Sequence, residues 1–430
     1  MHVCVLGGGV IGITTAYFLA RDGHRVTVVD ARPEVAHGTS FANGGQLSYS
    51  YVAPLASPSV WRYLPAWLAS RRAPLLFRPK IDRALLEWSA SFLRHCTTAH
   101  SEQTTVSLLQ LGAYSQSLMA TLQERENLAF DFRHSGKLVL YRDADAFAAA
   151  RKQMAFQKAH GTTQEAWDAA ECVRHEPALA RLQSVLAGGI YTPTEDAGDC
   201  QRFTESLATV LRQRSDVRLL MGCKIEGVNT ERGRVTSVET SEGPLQADAF
   251  VCAMGAESAG LLRRVGLSLP VYPLKGYSLT VPIDSRHNAP EYSVTDLHHK
   301  IVYARLGSDL RIAGMVDFSR NDPAADARRI ALLKQQAIAT LPDAGDYTRV
   351  REWTGYRPAT PHGRPLLGAT RYANLWLNVG QGALGFTFAC ASAKIVADQI
   401  VGRNPAIDVE PFAWRGMASA GARQTQNTVS

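Results

Sequence analysis

Three glycines near the N-terminus have the spacing of a phosphate-binding turn. Gly7, Gly9 and Gly12 follow the apolar residues 3–6 in the pattern G-x-G-x-x-G. There the first glycine allows a tight turn, the second lets a pyrophosphate approach the backbone, and the third lets a helix pack against the strand. Asp30 ends the next apolar run, where a carboxylate accepts hydrogen bonds from ribose hydroxyls. The pattern predicts a strand–helix–strand unit that binds FAD or NAD rather than NADP, and it does not choose between the first two.

Two further glycine turns are predicted where apolar strands end. Residues 249–253 lead to Gly255, and residues 375–379 lead into a glycine-rich stretch and a helix of small residues. Such a turn presents free backbone N–H groups and the positive end of a helix dipole, which suits a phosphate or the N1/C2=O edge of a flavin. Because the turns lie far apart in sequence, they indicate one discontinuous domain. A plain βα crossover is the alternative for the second turn.

The composition is that of a soluble globular protein. The chain has 430 residues, of which 46% are hydrophobic and 20% charged, and this length favours two domains. No apolar run is long enough to span a bilayer, and the N-terminus lacks the basic region of a signal peptide, so we expect a cytoplasmic protein. The seven cysteines and twelve histidines show no disulfide or metal-ligand spacing, so we expect no metal site.

The order of these patterns predicts an α/β fold of mixed α+β character. The fold consists of a discontinuous Rossmann-like domain and a second domain that contains an antiparallel sheet and helices. The nucleotide domain is assigned to residues 1–55, 190–266 and 345–430. The second domain is assigned to residues 56–189, which are helix-rich, and 267–344, which alternate like strands.

Several longer stretches resemble a known family over nearly the whole chain. They are similar to the FAD-dependent D-amino-acid dehydrogenase small-subunit family, within the wider fold group of D-amino-acid oxidase and glycine oxidase. The matching stretches are TSFANGGQLS (39–48), TPTEDAGDCQRFTESLA (192–208), VYPLKGYSLTVPI (271–283), EWTGYRPATPHGRPLLG (352–368) and NLWLNVGQGALGFTFACAS (374–392).

The resemblance implies FAD as the cofactor and a small D-amino acid as the substrate. The implied reaction is oxidative deamination to a 2-oxo acid and ammonia by hydride transfer to flavin N5, with the electrons passed to a quinone or another acceptor than oxygen. The alternatives within this fold group are an oxygen-using oxidase of glycine, sarcosine or D-amino acids, and a dehydrogenase of D-proline or hydroxy-D-proline. A soluble NAD-linked dehydrogenase and a non-catalytic flavin-binding subunit are the alternatives from other classes.

The same resemblance assigns roles near the reacting atoms. It implies that Arg357 pairs with the substrate carboxylate, and a planar guanidinium can make two parallel charge-assisted bonds to one. A structural salt bridge is the alternative. Tyr277 is the matching hydroxyl donor, with a core tyrosine as the alternative. Gln381 stands where the family commonly has histidine, which alters a hydrogen bond near the flavin.

The expected FAD contacts fall into three sets. One set surrounds the adenosine and pyrophosphate: Gly7, Gly9, Val10, Ile11, Gly12, Asp30, Ala31, Arg32, Ile225, Ala253 and Gly255. A second set forms a loop along the ribityl chain and ring: Thr39, Ser40, Asn43, Gly44, Gly45, Gln46 and Leu47. The third set contacts the ring from the other side: Gly380, Gly382, Leu384, Gly385, Phe386 and Thr387.

A basic segment bears on how electrons leave the flavin. Residues 49–81 contain no acidic side chain, and Trp61, Leu64 and Leu68 have helical spacing among several arginines. A basic amphipathic segment with tryptophans suits peripheral contact with the anionic inner face of a membrane. The alternatives are a helix with a solvated face and a lid over the site. The net charge of +7 is too small, without a recognised module, to indicate nucleic-acid binding.

Overall fold

Two large sheets dominate the architecture. The computed structural model describes residues 1–62, 64, 75–77, 82–318 and 324–416. The sheets have six and nine strands and are accompanied by a three-stranded and a two-stranded sheet.

The six-stranded sheet has the order β19-β20-β13-β1-β2-β9 and is parallel except for its edge strand β19. Its strands are β1 (His2–Leu6), β2 (Arg25–Asp30), β9 (Val217–Met221), β13 (Ala249–Cys252), β19 (Leu366–Ala369) and β20 (Leu375–Val379). Residues 3–6 and 249–252 are all buried, because helices and the three-stranded sheet cover both faces. This explains why these strands appear in the sequence as continuous apolar runs.

The nine-stranded sheet has the order β18-β14-β17-β16-β15-β5-β7-β6, with β4 beside β17. Its strands are β4 (Leu75–Phe77), β5 (Lys137–Tyr141), β6 (Glu165–Trp167), β7 (Gly188–Thr192), β14 (Tyr272–Pro282), β15 (Ser293–Asp296), β16 (Ile301–Leu306), β17 (Asp309–Phe318) and β18 (Arg351–Ala359). The pairing is antiparallel except between β15 and β5 and between β17 and β4. The three-stranded sheet contains β10 (Ile225–Glu231), β11 (Arg234–Thr240) and β12 (Gly243–Leu245), and β3 (Gln46–Leu47) pairs with β8 (Asp196–Ala197).

Helices cover these sheets and fix the ends of their strands. The helices are α1 (Val10–Arg21), α2 (Arg83–His95), α3 (Thr98–Glu126), α4 (Ala144–Lys158), α5 (Ala169–His175), α6 (Cys200–Arg212), α7 (Ser258–Arg263), α8 (Ala327–Thr340) and α9 (Gly385–Ile400). Helix α1 packs against α9 and α6, and α3 packs against α9. No helix within the described residues is long and apolar enough to cross a membrane.

The predicted fold class is confirmed. The proposed division into two domains stays a proposal, and strand β18 lies beyond its proposed boundary at residue 345. That strand pairs with β14 and so belongs to the nine-stranded sheet. The basic segment is described only in part. Residues 59–62 are helical, whereas residues 75–77 form β4. Leu68, Arg71 and Arg72 lie outside the described residues.

Candidate active site

One cavity brings together residues that are hundreds of positions apart in sequence. Its volume is ≈ 760 Å³, and it is lined by the turn after β1, by β2, β14, β17 and β18, and by the loops that follow β2 and β20. All of the predicted site residues line it except Gly12, Leu47 and Thr387. These three support the wall from behind. Leu47 is fully buried, and the Thr387 hydroxyl accepts a hydrogen bond from the Ser48 N–H at 3.0 Å.

The N-terminal glycine turn has the geometry that its spacing predicts. Gly7 has φ +112, and a Cβ atom there would lie 2.6 Å from the carbonyl oxygen of Ala253. A Cβ atom on Gly12 would lie 1.8 Å from the carbonyl oxygen of Gly7, so glycine is what allows α1 to pack against the turn. Helix α1 begins after Gly9 without a side-chain cap, which leaves its positive end facing the cavity.

Asp30 organises this turn as well as lining the cavity. Its carboxylate accepts hydrogen bonds from the Gly8 N–H at 2.7 Å and from the Arg32 N–H at 2.9 Å. The Arg32 side chain lies between Asp30 and Glu257, at 3.6 and 3.2 Å. The acid at the end of β2 is therefore held in place at the mouth of the glycine turn.

The loop after β2 joins the glycine turn to the nine-stranded sheet. The Ser40 hydroxyl accepts a hydrogen bond from the Val10 N–H at 3.0 Å, and the Thr39 hydroxyl donates to the carbonyl oxygen of Tyr356 at 2.8 Å. The Asn43 side chain accepts from the Gly45 N–H at 3.0 Å. These bonds hold the loop across the cavity from the start of α1 to strand β18.

A second glycine turn, from the C-terminal part of the chain, also lines the cavity. Gly380 and Gly382 have φ +84 and +59, and α9 then begins at Gly385 without a side-chain cap. The backbone of Gln381 bridges to Ala359 on β18, and its side chain donates to the Asn378 Oδ1 atom at 2.6 Å. Gln381 therefore ties this turn to β18 and keeps its side chain in an internal network.

Arg357 is a cation in this cavity that no carboxylate neutralises. Its Nη1 atom donates to the carbonyl oxygen of Met315 at 3.1 Å, and among the described residues no acidic side chain pairs with it. Burial lowers the pKa of Arg357 to about 10, so the side chain stays charged at neutral pH. A buried cation without an opposite charge is costly, and an anionic ligand would compensate it. The geometry therefore does not support the alternative of a structural salt bridge for Arg357.

A bulge and a glycine fix the position of this guanidinium. Between the pairs Lys275–Asp317 and Tyr277–Gly314, strand β17 carries one more residue than β14. Met315 lies in this bulge with φ +59 and turns its carbonyl oxygen to Arg357. On β14, a Cβ atom at Gly276 would lie 2.7 Å from the Nη2 atom of Arg357. The guanidinium thus lies flat over Gly276.

We expect that Gly276→Ala displaces the Arg357 guanidinium without unfolding the protein. The added methyl group meets the far end of a flexible side chain, which can move, rather than backbone atoms. The KM for the carboxylate substrate should rise about tenfold, which corresponds to one weakened charge-assisted hydrogen bond, at unchanged flavin content. Gly260→Ala is the matched control, because Gly260 has open space around its Cβ position and lies on α7. An unchanged KM in Gly276→Ala would contradict this account of how Arg357 is held.

The role predicted for Tyr277 requires a correction. Its hydroxyl donates to Asp317 Oδ2 at 2.8 Å, and Asp317 also pairs with Arg329 at 2.9 Å. Tyr277 is 1% exposed and packs in the apolar core behind the nine-stranded sheet, whereas its neighbour Ser278 reaches the loop across the cavity. Side chains alternate between the two faces of a strand, so this hydroxyl points away from Arg357. The structure favours the alternative of a core tyrosine.

Many cavity residues were not predicted from the sequence, and Lys137 and Trp88 are two of them. Lys137 on β5 is buried and donates to Gln46 Oε1 at 2.8 Å and to Ser48 Oγ at 2.7 Å. Burial lowers the pKa of this lysine below its ordinary value. Trp88 on α2 donates from Nε1 to the carbonyl oxygen of Ala359 at 2.9 Å. Neither residue belongs to a recognisable motif, and only the tertiary fold brings them to the cavity.

These features together define a dinucleotide-dependent redox site. Two glycine turns present backbone N–H groups to the same cavity. The Asp30 carboxylate lies at the end of β2, and Arg357 lies at the far side, where it can bind a small anion. The uncapped starts of α1 and α9 provide two places for the electron-rich parts of such a cofactor. The residues present therefore fit FAD, and Arg357 leaves room for a small anion beside it.

Comparison with known proteins agrees with this class of site. The family model described as FAD dependent oxidoreductase matches residues 2–399. The chain is 44% identical to D-amino acid dehydrogenase 2 of Ralstonia nicotianae, over 96% of this chain and 99% of that protein. It is 45% identical to D-amino acid dehydrogenase 2 of Pseudomonas aeruginosa, over 96% and 98% of the two chains.

Solved structures show the same fold. Glycine oxidase from Geobacillus kaustophilus superposes with a TM-score of 0.76 at 23% identity, over 96% of this chain and 97% of that one. L-proline dehydrogenase from P. horikoshii gives a TM-score of 0.75 at 18% identity, over 96% of each chain. The chain belongs to the FAD-dependent oxidoreductase family, and its cofactor is FAD. The resemblance found in the sequence is thereby confirmed.

Proposed function

We propose that this flavoenzyme is a D-amino-acid dehydrogenase. It would convert a D-amino acid into a 2-oxo acid and ammonia and pass the electrons to a quinone or another acceptor than oxygen. The observation that carries this proposal is the unneutralised Arg357 in the cavity that contains both glycine turns. The relatives named D-amino acid dehydrogenase, at 44% and 45% identity over nearly the full length, support the substrate class.

The proposed role of Arg357 is to bind and orient the substrate carboxylate. Two parallel N–H bonds to a carboxylate fix both position and rotation, which aligns the Cα–H bond with the flavin. Bound FAD supplies the acceptor for the α-hydrogen and its electron pair. The nine-stranded sheet encloses the substrate and limits its access to water, and no general base is required of the protein once the amino group is neutral.

The FAD contacts that we propose are those assigned from the sequence. The turn after β1, the start of α1 and Asp30 would hold the adenosine and pyrophosphate. The loop of residues 39–47 and the turn of residues 380–387, with Gln381, would hold the flavin ring. Lys137, which holds the side chain of Gln46, adds a buried positive charge on the ring side of the cavity.

Electron transfer to a membrane quinone is the part of the proposal that concerns the basic segment. Its described residues expose apolar side chains: Trp61 is 54% exposed, and the neighbouring Leu55 and Leu86 are 41% and 61% exposed. Exposed tryptophan and leucine near arginines suit the interface of an anionic membrane. We therefore propose peripheral contact with the inner face of the cytoplasmic membrane.

Weakening this surface should separate quinone reduction from substrate oxidation. We expect that replacing Trp61 and Trp67 with serine, and Arg71 and Arg72 with glutamine, lowers quinone reduction in membranes about tenfold or more. Each lost basic residue removes about 1 kcal/mol of attraction to anionic lipid. Dye-coupled oxidation of D-amino acids in solution should stay near normal. Co-sedimentation with phosphatidylserine vesicles measures the binding itself.

A matched pair of changes on other surfaces controls for net charge. Arg181→Gln and Arg232→Gln remove exposed arginines outside the segment, with side chains that are 68% and 92% exposed. This pair should leave vesicle binding unchanged. Equal loss of quinone- and dye-coupled activity in the segment variant would mean that the segment is a lid, and unchanged vesicle binding would exclude membrane contact.

A substrate panel measured with two acceptors tests the proposed reaction. D- and L-amino acids, glycine, sarcosine and D-proline are each assayed once with a redox dye and once with oxygen. The proposal predicts turnover of D-amino acids with the dye and slow turnover with oxygen. Fast oxygen consumption would identify an oxidase instead, and activity confined to D-proline would identify an imino-acid dehydrogenase.

A further inference from the structure

The part of the cavity beside Arg357 has an apolar wall. Leu274 lies directly opposite Arg357 on the neighbouring strand β14, so their side chains share one face of the sheet. Val316 follows on β17, and α2 contributes from the side. We call this region the apolar chamber; its walls are Trp88, Phe92, Leu274, Val316 and Ala359.

Trp88 is fixed more firmly than packing alone requires. It is 5% exposed, and its Nε1 atom donates to the carbonyl oxygen of Ala359, two residues beyond Arg357 on the same strand. Its ring stacks on Phe92 with centroids 5.1 Å apart and an interplanar angle of 10°. The hydrogen bond and the stacking therefore hold the ring in one orientation, and it presents a rigid surface.

Among the described residues, the chamber walls include no charged group that could pair with a charged substrate side chain. Among the described residues, the acidic side chains that line the cavity are Asp30 and Glu257. Both lie next to Arg32 at the end where β2 stops, with separations of 3.6 and 3.2 Å from its guanidinium. An ammonium group held among the chamber walls would lose its hydration without gaining an opposite charge from a described residue, and a second carboxylate there would compete with the α-carboxylate for Arg357.

We propose that the chamber holds the side chain of a large apolar D-amino acid, such as D-phenylalanine, D-leucine or D-methionine, and that Trp88 sets this preference. The inference rests on the proposed function, because it takes Arg357 as the carboxylate site from which the side chain extends. Apolar surface leaves water when the chamber is filled, which favours a larger apolar side chain over the methyl group of D-alanine.

The preference is measured as kcat/KM for a series of D-amino acids. We expect D-phenylalanine, D-leucine and D-methionine to exceed D-alanine about tenfold, and D-lysine and D-glutamate to fall below D-alanine. Equal values for D-alanine and D-phenylalanine, or faster turnover of D-lysine than of D-leucine, would overturn the proposal. Failure to oxidise any D-amino acid would instead overturn the proposed function.

Trp88→Ala tests the specific residue. The ratio of kcat/KM for D-phenylalanine to that for D-alanine should fall about tenfold, and Trp88→Phe should retain most of the ratio because it keeps an aromatic wall. Trp167→Ala is the matched control. Trp167 is the last residue of β6, is 7% exposed in the apolar core and does not line the cavity. It should leave the ratio unchanged despite a loss of stability. An unchanged ratio in Trp88→Ala would contradict the assignment.

A binding measurement keeps the inference testable without turnover. The holoenzyme is titrated with 3-phenylpropionate and with propionate, which carry a carboxylate but no amino group, and the change in the flavin spectrum gives the Kd. The chamber predicts about tenfold tighter binding of 3-phenylpropionate, and Phe92→Ala should reduce this difference if Trp88→Ala does not fold. Equal affinity for the two carboxylates in the wild-type protein would contradict an apolar chamber beside Arg357.

Discussion

Replacing Arg357 with leucine is expected to lower kcat/KM for D-amino acids about 100-fold or more, mainly through KM, while FAD stays bound. Among the described residues the guanidinium donates one hydrogen bond, to the Met315 carbonyl oxygen, so most of its donors are available to a carboxylate. Losing two charge-assisted bonds removes about 3 kcal/mol or more. Arg357→Lys should recover only part, because an ammonium group cannot make the two-pronged contact. Steady-state kinetics with a dye acceptor measure both variants.

The same strand offers a matched control for this substitution. Arg351 on β18 is also an arginine, but its side chain is 69% exposed and pairs with Asp309. Arg351→Leu should change kcat/KM by less than about twofold, as is usual for exposed ion pairs. If Arg357→Leu keeps a normal KM for D-alanine, Arg357 does not bind the substrate carboxylate.

Replacing Gly12 with alanine is expected to abolish FAD retention. The new Cβ atom would lie 1.8 Å from the carbonyl oxygen of Gly7, so α1 must move away from the turn between β1 and the helix. No side-chain rotation can relieve a contact between backbone atoms. The purified protein should be largely colourless, and titration with FAD should give an affinity at least about tenfold weaker, since displacement of the helix start removes aligned N–H donors.

Gly260→Ala is again the matched control, because the same substitution there meets open space and favours the helix. The ratio of flavin to protein absorbance and the Tm should be compared for both variants. Normal flavin content in Gly12→Ala would mean that the glycine turn does not position the cofactor.

The predictions that succeeded concern local patterns. The close approach of Gly12 to Gly7 involves residues within one turn, and strand β20 has the bounds that its apolar run predicts. Such features depend on backbone conformation and on the burial of one short segment. The sequence contains all of that information within a short window.

The misassigned features depend on strand pairing across long separations. The direction of the Tyr277 side chain follows from the register of β14 against β17 and from the bulge at Met315, which the sequence of either strand alone does not reveal. The pairing of β18 with β14, which lies much earlier in the chain, was likewise not apparent from the sequence of either strand. Trp88 reaches the cavity only because α2 packs across Ala359.

The central claim, that this flavoprotein oxidises D-amino acids at the cavity beside Arg357, is tested most directly by anaerobic reduction of the bound flavin. The absorbance at about 450 nm is followed after D-phenylalanine, D-alanine or their L-enantiomers are mixed with the holoenzyme. The account predicts rapid bleaching with the D-enantiomers, none with the L-enantiomers, and bleaching in Arg357→Leu only at much higher substrate concentration. Flavin that stays oxidised with every D-amino acid, or that bleaches equally with both enantiomers, would contradict it.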